Sequence, residues 1–224
     1  MWYRSRSAAA ASHSFDLHGA MRVLELLQAF CEGHNLTVQN FLREQRGSRH
    51  STVNLVAASV DFLFELQPVV SAANIRLATQ VGGWLPSTRD VVHPSCTWVS
   101  WQTLDTLIEM VQGPCPANQL ELVNKKIVEV AGVLLSKDFV KESNAANKVF
   151  QYKCALTMAS LFEGRHDTMV HERVASLLPM GVMKDSMQGI YEDFQRLHNG
   201  VYSDKAFMQV HLPSPSFVRN LALC

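Results

Sequence analysis

The chain has 224 residues, of which 47% are hydrophobic and 18% charged, and this is enough apolar material to bury the core of one domain or two small ones. Lys and Arg number 20 together, as do Asp and Glu, so no basic excess exists to bind nucleic acid or an anionic membrane. Uninterrupted apolar stretches such as 133–135 fall far short of the roughly 20 residues that a membrane-spanning helix needs.

The first two helices are predicted from apolar spacing and from their end residues. Apolar residues recur at helical intervals from Leu17 to Phe30, and Gly33 follows as a natural stop for this helix. Asn35 is expected to cap a short second helix, and Ser51 or Thr52 a third.

The third helix carries apolar residues from Leu55 to Leu66, and we expect Pro68 to end it because proline lacks an amide hydrogen and clashes with the preceding turn. From 68 to 95 the pattern weakens and contains several Gly and Pro residues. These residues are predicted to form a variable insertion with at most one short helix.

A fourth helix is predicted from about Ser95 to Gln112, with Trp98 and Leu104 facing inward, and a fifth from Asn118 to about Leu135. Further amphipathic segments cover about 144–162, 168–178 and 181–197.

Consecutive amphipathic helices with short links predict an all-α fold, an armadillo-like stack or bundle of about seven to nine helices. We expect a disordered segment at 1–15, a helical domain at 16–198 and a loose tail at 199–224. No repeat of fixed period is visible in the sequence.

Motifs of the common enzyme classes are absent: there is no GxSxG elbow, no GxxxxGK[ST] phosphate loop, no GxGxxG turn and no HExxH pair. The five cysteines are scattered and form no CxxC pair, which indicates reduced, mostly buried thiols in a cytosolic setting. We therefore expect no enzymatic activity.

His166, Asp167, His171 and Glu172 are the densest group of possible metal ligands. Neighbouring side chains on a helix do not face each other, however, so surface polarity or helix capping is the preferred interpretation of this group.

Two other acids are placed unfavourably for a helix. Glu32 directly precedes Gly33, which ends the first helix, and Glu109 lies in the last turn before Gly113. Both carboxylates therefore lie at the negative end of a helix dipole, which is unfavourable for a negative charge. A bound cation would reverse this disadvantage, and calcium prefers such oxygen ligands. Simple solvation of exposed acids explains the same pattern, so the residues alone leave both interpretations open.

Two segments resemble a known family. Residues 30–35 (FCEGHN), continuing through 39–43 (QNFLR) to Gln45, resemble the opening motif of the domain associated with the homology region of inositol trisphosphate and ryanodine receptors. Residues 112–115 (QGPC), with Asn118 and Gln119, are similar to that family's second motif. Residues 52–56 and 60–63 look more like the ryanodine branch, and 165–167 with 172–173 more like the inositol trisphosphate branch, so the resemblance is to the superfamily.

The resemblance implies a cytosolic helical domain ahead of a channel pore that helps to form an activating calcium site. Its two glutamates match Glu32 and Glu109, which would ligate calcium directly, while His34 and Gln112 would orient the carboxylates or water. Ile108 and Met110 depart from the family pattern around the second glutamate. The family site is also completed by a backbone oxygen from beyond the pore.

The function that the resemblance implies is a regulatory segment of an intracellular calcium-release channel that couples the calcium site to the pore. Its partners would be the remaining channel domains, including the pore and C-terminal segment, in a homotetramer at the cytosolic face of the endoplasmic reticulum. The alternative is a stand-alone helical adaptor or scaffold that kept the fold without the channel. No inositol trisphosphate site is expected, because the sequence has no basic cluster suited to several phosphates.

Overall fold

The computed structural model describes residues 16–45, 52–80, 94–136, 139 and 145–198, and these residues are all-helical, as predicted. The described helices are α1 (Leu17–Cys31), α2 (Leu36–Arg43), α3 (Leu55–Gln80), α4 (Pro94–Val111), α5 (Pro116–Asn124), α6 (Ile127–Leu135), α7 (Ala145–Phe162), α8 (Met169–Leu177) and α9 (Met180–His198). The segments expected to be a disordered start, 1–15, and a loose tail, 199–224, lie outside the described residues.

The described helices stack in three layers of three, which we call layer one (α1–α3), layer two (α4–α6) and layer three (α7–α9). The first helix of each layer contacts the first helix of the next, so α1 packs on α4 and α4 on α7. The same holds for the second helices, α2, α5 and α8, and for the third helices, α3, α6 and α9. This arrangement is the predicted helical stack, and its core lies between the layers.

Most of the buried apolar residues form one core that joins the layers. It includes Leu63 from layer one, Leu107 and Ile127 from layer two, and Phe150 and Met158 from layer three, all almost fully buried. Phe150 lies edge-on to Trp101, with ring centroids 5.7 Å apart. Within the described residues, no helix is long and apolar enough to cross a lipid bilayer.

The predicted end of the third helix at Pro68 is wrong, because α3 continues through this proline to Gln80. Pro68 is exposed, while Leu66 and Val70, two positions before and after it, are buried. This packing compensates for the hydrogen bond that proline cannot donate. The helix therefore extends into the first part of the predicted insertion, while 81–93 lie outside the described residues.

The predicted fifth helix is two helices, since the chain breaks at Lys125 and Lys126 between α5 and α6. The Lys125 ammonium lies 3.6 Å from the Asp61 carboxylate of α3, and the Lys126 ammonium lies 3.9 Å from the centre of the Phe64 ring. Both lysines thus bind α3 where the chain turns. Apolar spacing alone does not detect this break, because the pattern resumes with Ile127.

Two smaller predictions also fail. Asn54, and not Thr52, provides the cap of α3, since its side-chain oxygen accepts a hydrogen bond from the Ala57 amide at 2.9 Å, while Ser51 lies outside the described residues. Trp98 is 60% exposed instead of facing inward, because it lies in the first turns of α4, before the buried stretch that begins at Val99.

Candidate functional site

The turn after α1 carries two of the predicted site residues, Glu32 and His34. Glu32 ends the helix with its amide donating to the Gln28 carbonyl at 3.1 Å. Gly33 and His34 then take left-handed conformations with φ of 79° and 59°. A φ of 79° is readily adopted by glycine, whereas a φ of 59° is uncommon for a residue such as His34 that carries a side chain. Asn35 caps α2 as predicted, because its side-chain oxygen accepts from the Thr37 and Val38 amides.

Glu109 lies in the last turn of α4 and is partly buried. Burial raises the pKa of its carboxyl group above the ordinary value. The nearby His34 lowers this pKa, and the negative charges of Glu32 and Asp105 raise it. The turn that carries Glu32 and His34 therefore lies close enough to Glu109 to influence the charge of its carboxyl group.

Gln112, the fourth predicted site residue, directs its side-chain amide to layer three. This amide donates to the Ser160 hydroxyl at 3.4 Å, a long hydrogen bond. Its backbone carbonyl accepts from Gln39 at 2.8 Å. The contacts of Gln112 among the described residues are thus with neighbouring helices.

A buried amide of α2 holds the last turn of α4, and sequence reasoning missed it. Gln39 is fully buried, and its side-chain nitrogen donates to the backbone carbonyls of Glu109 at 2.7 Å and Gln112 at 2.8 Å. These are carbonyls that a helix end leaves without backbone partners. Gln39 therefore fixes the segment that carries Glu109 against the helix that follows Glu32.

Asn118 extends this network to α5. Its amide donates to the carbonyls of Gln39 and Met110 at 2.9 and 2.8 Å, and its oxygen accepts from Arg43 at 2.8 Å. Gln39, Arg43 and Asn118 all lie inside the segments that carry the family resemblance. A polar side chain on the inner side of an amphipathic helix was the signal that could have identified them.

Asp105 lies one helical turn before Glu109 and forms an ion pair with Lys153 of α7. Burial raises the pKa of the Asp105 carboxyl, and the charge and hydrogen bond of Lys153 oppose this increase. Lys153 is itself buried. A positive charge from layer three thus lies close to the acidic face of α4, and sequence reasoning missed this pair as well.

Asp167 and His171, in the histidine-rich group after α7, contact neighbouring residues of the same region. Arg165 forms a 2.7 Å ion pair with Asp167, and the His171 ring stacks on Phe162 with centroids 4.7 Å apart. Across the described residues, no group of three or more His, Cys, Asp or Glu side chains could hold a metal ion. Glu32 and Glu109 alone also provide fewer than the 6 to 8 oxygens that calcium prefers.

Comparison with known proteins agrees with the resemblance in the sequence. Residues 15–135 match the family described as RyR and IP3R Homology associated. The chain is also 34% identical over 97 residues to the inositol 1,4,5-trisphosphate receptor itr-1 of Caenorhabditis elegans, a match that covers 43% of this chain and 3% of that receptor. The chain therefore spans a small part of this relative. Because the family match covers more than half of the chain, the chain belongs to the RyR and IP3R Homology associated family.

Proposed function

We propose that the chain is a cytosolic regulatory segment of an intracellular calcium-release channel, and that Glu32 and Glu109 are two ligands of its activating calcium site. The observation that carries this proposal is that the turn after α1 lies against the turn after α4, with His34 directly at Gly113, so that two acids 77 positions apart in the sequence lie at adjoining turns. Two acids held at the negative ends of helices repel each other and the helix carbonyls, and a divalent cation between them removes both penalties.

Calcium would regulate the channel because its two proposed ligands, Glu32 and Glu109, lie in different layers. Glu32 belongs to layer one and Glu109 to layer two, so calcium bound by both pulls the two turns together. The remaining oxygen ligands come from water and from a pore-side segment of the channel. Calcium then favours whichever arrangement brings that segment to the site, and it activates the channel if this arrangement is the open one.

His34 and Gln39 support the site in different ways. His34 lies close enough to Glu109 for its charge to lower the pKa of that carboxyl, which favours the ionised form that calcium requires. Gln39 fixes the backbone of the Glu109 turn through two hydrogen bonds. In this proposal the channel is a homotetramer at the cytosolic face of the endoplasmic reticulum, and Gln112 orients water at the site.

The direct test is calcium activation of a complete channel that contains this segment. Glu32→Gln and Glu109→Gln should each shift half-maximal activation to at least about tenfold higher calcium, because each removes one charged ligand. Glu65→Gln is the matched control, since Glu65 is exposed on α3 and should leave activation unchanged. Unaltered activation in both site variants would refute the assignment.

A second test uses the chain by itself. In a calcium titration followed by 13C NMR of the glutamate carboxyl carbons, the signals of Glu32 and Glu109 should move together along one binding curve. Affinity should be weak, with a dissociation constant on the order of 1 mM, because the pore-side ligand is absent from the sample. Independent curves for the two signals would argue against a shared ion.

A further inference from the structure

Three turns of the molecule repeat one local geometry. Gly33, Gly113 and Gly164 follow α1, α4 and α7, and all have positive φ, at 79°, 88° and 64°. Each glycine therefore marks the same point in its layer, and residues of different layers can be compared by counting from it. This count gives a common register for the three layers.

A buried amide links each layer to the next at one position of this register. Gln39, six residues after Gly33, donates to the carbonyls four and one residues before Gly113. Gln119, six residues after Gly113, donates to the carbonyls four and one residues before Gly164, both at 2.9 Å. We call the contact of layers one and two the first junction and that of layers two and three the second junction. Both are built in the same register.

The glycine turns also contact each other in this register. A Cβ built on Gly113 would clash with the Cβ of His34, the residue after Gly33. A Cβ built on Gly164 would lie 2.5 Å from Cγ of Pro114, the residue after Gly113. The turn of one layer therefore lies directly against the turn of the next at both junctions, so side chains at matching positions have matching neighbours.

Two positions of the register carry the proposed calcium ligands at the first junction. Glu32 lies one residue before the glycine of layer one, and Glu109 lies four residues before the glycine of layer two. At the second junction the same two positions are occupied by Gln112 and Ser160. The charge therefore differs between the junctions, with two carboxylates at the first and a neutral amide and hydroxyl at the second.

Gln112 and Ser160 contact each other directly. The Gln112 amide donates to the Ser160 hydroxyl at 3.4 Å, and this hydroxyl donates to the Leu156 carbonyl at 2.9 Å. Ser160 is only 3% exposed. The Glu163 carboxylate adds a further bond between layers two and three by accepting from the Gly113 amide at 3.2 Å. Side chains at these two register positions therefore reach each other across a junction without an ion between them.

The acids of the first junction cannot form such a bond with each other. Ionised carboxylates are acceptors only, so Glu32 and Glu109 have no hydrogen to share. The negative charge of Glu32 also raises the pKa of the Glu109 carboxyl. A proton or a cation is needed to remove this repulsion. The two junctions thus share one geometry and differ in whether they need a cation.

We propose that Gln112 and Ser160 form a calcium-independent lock between layers two and three, and that the residues at these two register positions determine which junction responds to calcium. Layers two and three then move as one body, and calcium acts on the position of layer one against them. The lock uses the nitrogen of the Gln112 amide, and the water-orienting role uses its oxygen. The calcium part of this inference rests on the proposed function, while the lock does not.

The test exchanges the residue types of the two junctions in this chain. Glu32→Gln with Glu109→Ser gives the first junction the neutral pair. Gln112→Glu with Ser160→Asp gives the second junction two acids. The exchanged chain carries all four substitutions and is compared with the unaltered chain.

Backbone amide signals of two glycines report on the junctions in a calcium titration followed by 15N NMR. In the unaltered chain, calcium should move the Gly33 signal and leave the Gly164 signal in place. In the exchanged chain the response should be reversed, because the two acids now lie at the second junction. A merely structural role of Gln112 and Ser160 would not transfer the calcium response from one glycine to the other.

Melting temperatures provide a readout without calcium. Gln112→Glu with Ser160→Asp should lower the melting temperature by roughly 4–8 °C, because repulsion replaces the lock. Glu32→Gln with Glu109→Ser should raise it by about 2–4 °C, because two unfavourable charges leave the helix ends.

The matched control for the added acids is Thr37→Glu with Ser176→Glu, since both residues are exposed and lie in layers one and three. This variant has the same net charge as the acidic variant of the second junction. Its melting temperature should change by less than about 2 °C, and its Gly164 signal should not respond to calcium.

Three results would overturn the proposal. One is a folded exchanged chain in which calcium moves neither glycine signal, and another is a Gly164 signal that follows calcium in the unaltered chain. If the exchanged chain does not fold, Glu32→Gln with Glu109→Ser decides, and an unchanged or lower melting temperature without calcium is the third. A Gly33 signal that calcium does not move in the unaltered chain contradicts the proposed calcium site instead, and the melting temperatures then decide the lock.

Discussion

His34 in the turn after α1 lies directly against Gly113 in the turn after α4, and no side chain fits between them. A Cβ on Gly113 would lie 2.2 Å from the His34 Cβ and 2.6 Å from its Cγ. Gly113 also has a φ of 88°, which other residues rarely adopt. The contact joins the two turns that carry Glu32 and Glu109, so we expect it to govern their separation.

The first prediction concerns Gly113. Gly113→Ala should lower the free energy of unfolding by about 2–5 kcal/mol, from left-handed strain and from the clash with His34. Gly33→Ala should cost only about 1–2 kcal/mol, because its φ is also positive but no described atom lies near its Cβ position. Urea denaturation measures both losses.

Gly189→Ala is the control for these glycine variants, since this residue lies inside α9 with open space around it. It should be neutral or slightly stabilising, because alanine favours a helix by roughly 1 kcal/mol over glycine. Equal losses for Gly113→Ala and Gly33→Ala would show that the contact with His34 contributes nothing.

The second prediction concerns the buried amides that link the layers. Gln39→Met keeps a similar shape but leaves the Glu109 and Gln112 carbonyls without the donor that they share, so stability should fall by about 2–4 kcal/mol. Gln119→Met should cause a similar loss at the next layer contact. Of these two variants, only Gln39→Met should also weaken calcium binding, because Gln39 bonds to the Glu109 turn and Gln119 does not.

Gln188→Met provides the control, since Gln188 is exposed on α9 and its hydrogen bond to Glu192 lies at the surface. Its effect on stability should stay within about 0.5 kcal/mol. Thermal or urea unfolding combined with the NMR calcium titration separates the two effects. A loss of calcium binding by Gln119→Met equal to that of Gln39→Met would contradict the specific role of Gln39.

The third prediction concerns the ion pair of Asp105 and Lys153. Burial holds the pKa of Asp105 above its ordinary value, so its contribution to stability is complete at low pH and is lost as pH rises through the raised pKa. Lys153 opposes this shift. Lys153→Met should therefore raise the pKa of Asp105 further and destabilise the chain at neutral pH by about 1–3 kcal/mol.

The measurement is a pH titration of the Asp105 carboxyl carbon by NMR, together with unfolding at neutral and acidic pH. Lys184→Met is the control, because Lys184 is exposed on α9 and should leave the Asp105 titration unchanged. If Lys153→Met lowered the pKa of Asp105, the assigned balance between burial and charge would be incorrect.

The fourth prediction concerns the cysteines. Burial raises the pKa of the Cys31 thiol to about 11 and that of Cys154 to about 12, and both residues have no exposed surface. Since the thiolate is the reactive form, Cys31, Cys115 and Cys154 should react with iodoacetamide at pH 8 at least about 100-fold more slowly than the partly exposed Cys96. Peptide mapping measures the four rates.

The same shifts predict an alkaline loss of stability. A thiol whose pKa is raised in the folded state contributes its full stabilisation at pH values below 9.0, its ordinary pKa. For Cys31 this contribution is lost as the pH rises towards the raised pKa of about 11. The loss should be on the order of 3 kcal/mol per thiol. Cys31→Ala should remove its share of this pH dependence, and an unchanged alkaline transition in that variant would contradict the assignment.

Helix ends were predictable where a local rule decides them. Gly33 as a stop, Asn35 as a cap and the fourth helix near 95–112 are confirmed within one or two residues. Pro68 misled the prediction because burial of Leu66 and Val70 outweighs the local cost of proline. The break at Lys125 was missed because it depends on contacts with α3, which no local pattern contains.

The sequence predicts which residues belong to the candidate site, but it does not predict how they are arranged in space. Glu32 and Glu109 could be selected because each opposes a helix dipole and lies in a segment that resembles the family. Their interaction depends on α1 packing against α4, and the roles of Gln39 and Lys153 depend on which carbonyls and carboxylates this packing brings within reach.

The sequence by itself determined an all-helical chain, the residues that end its helices and the family to which it belongs, because helical periodicity, glycine and capping side chains act over a few neighbouring residues. The tertiary structure alone decided that the described helices form three matching layers. Layer contacts join residues tens of positions apart. The glycines that follow the first helix of each layer, Gly33, Gly113 and Gly164, are unevenly spaced, so the three layers are not visible as a sequence repeat.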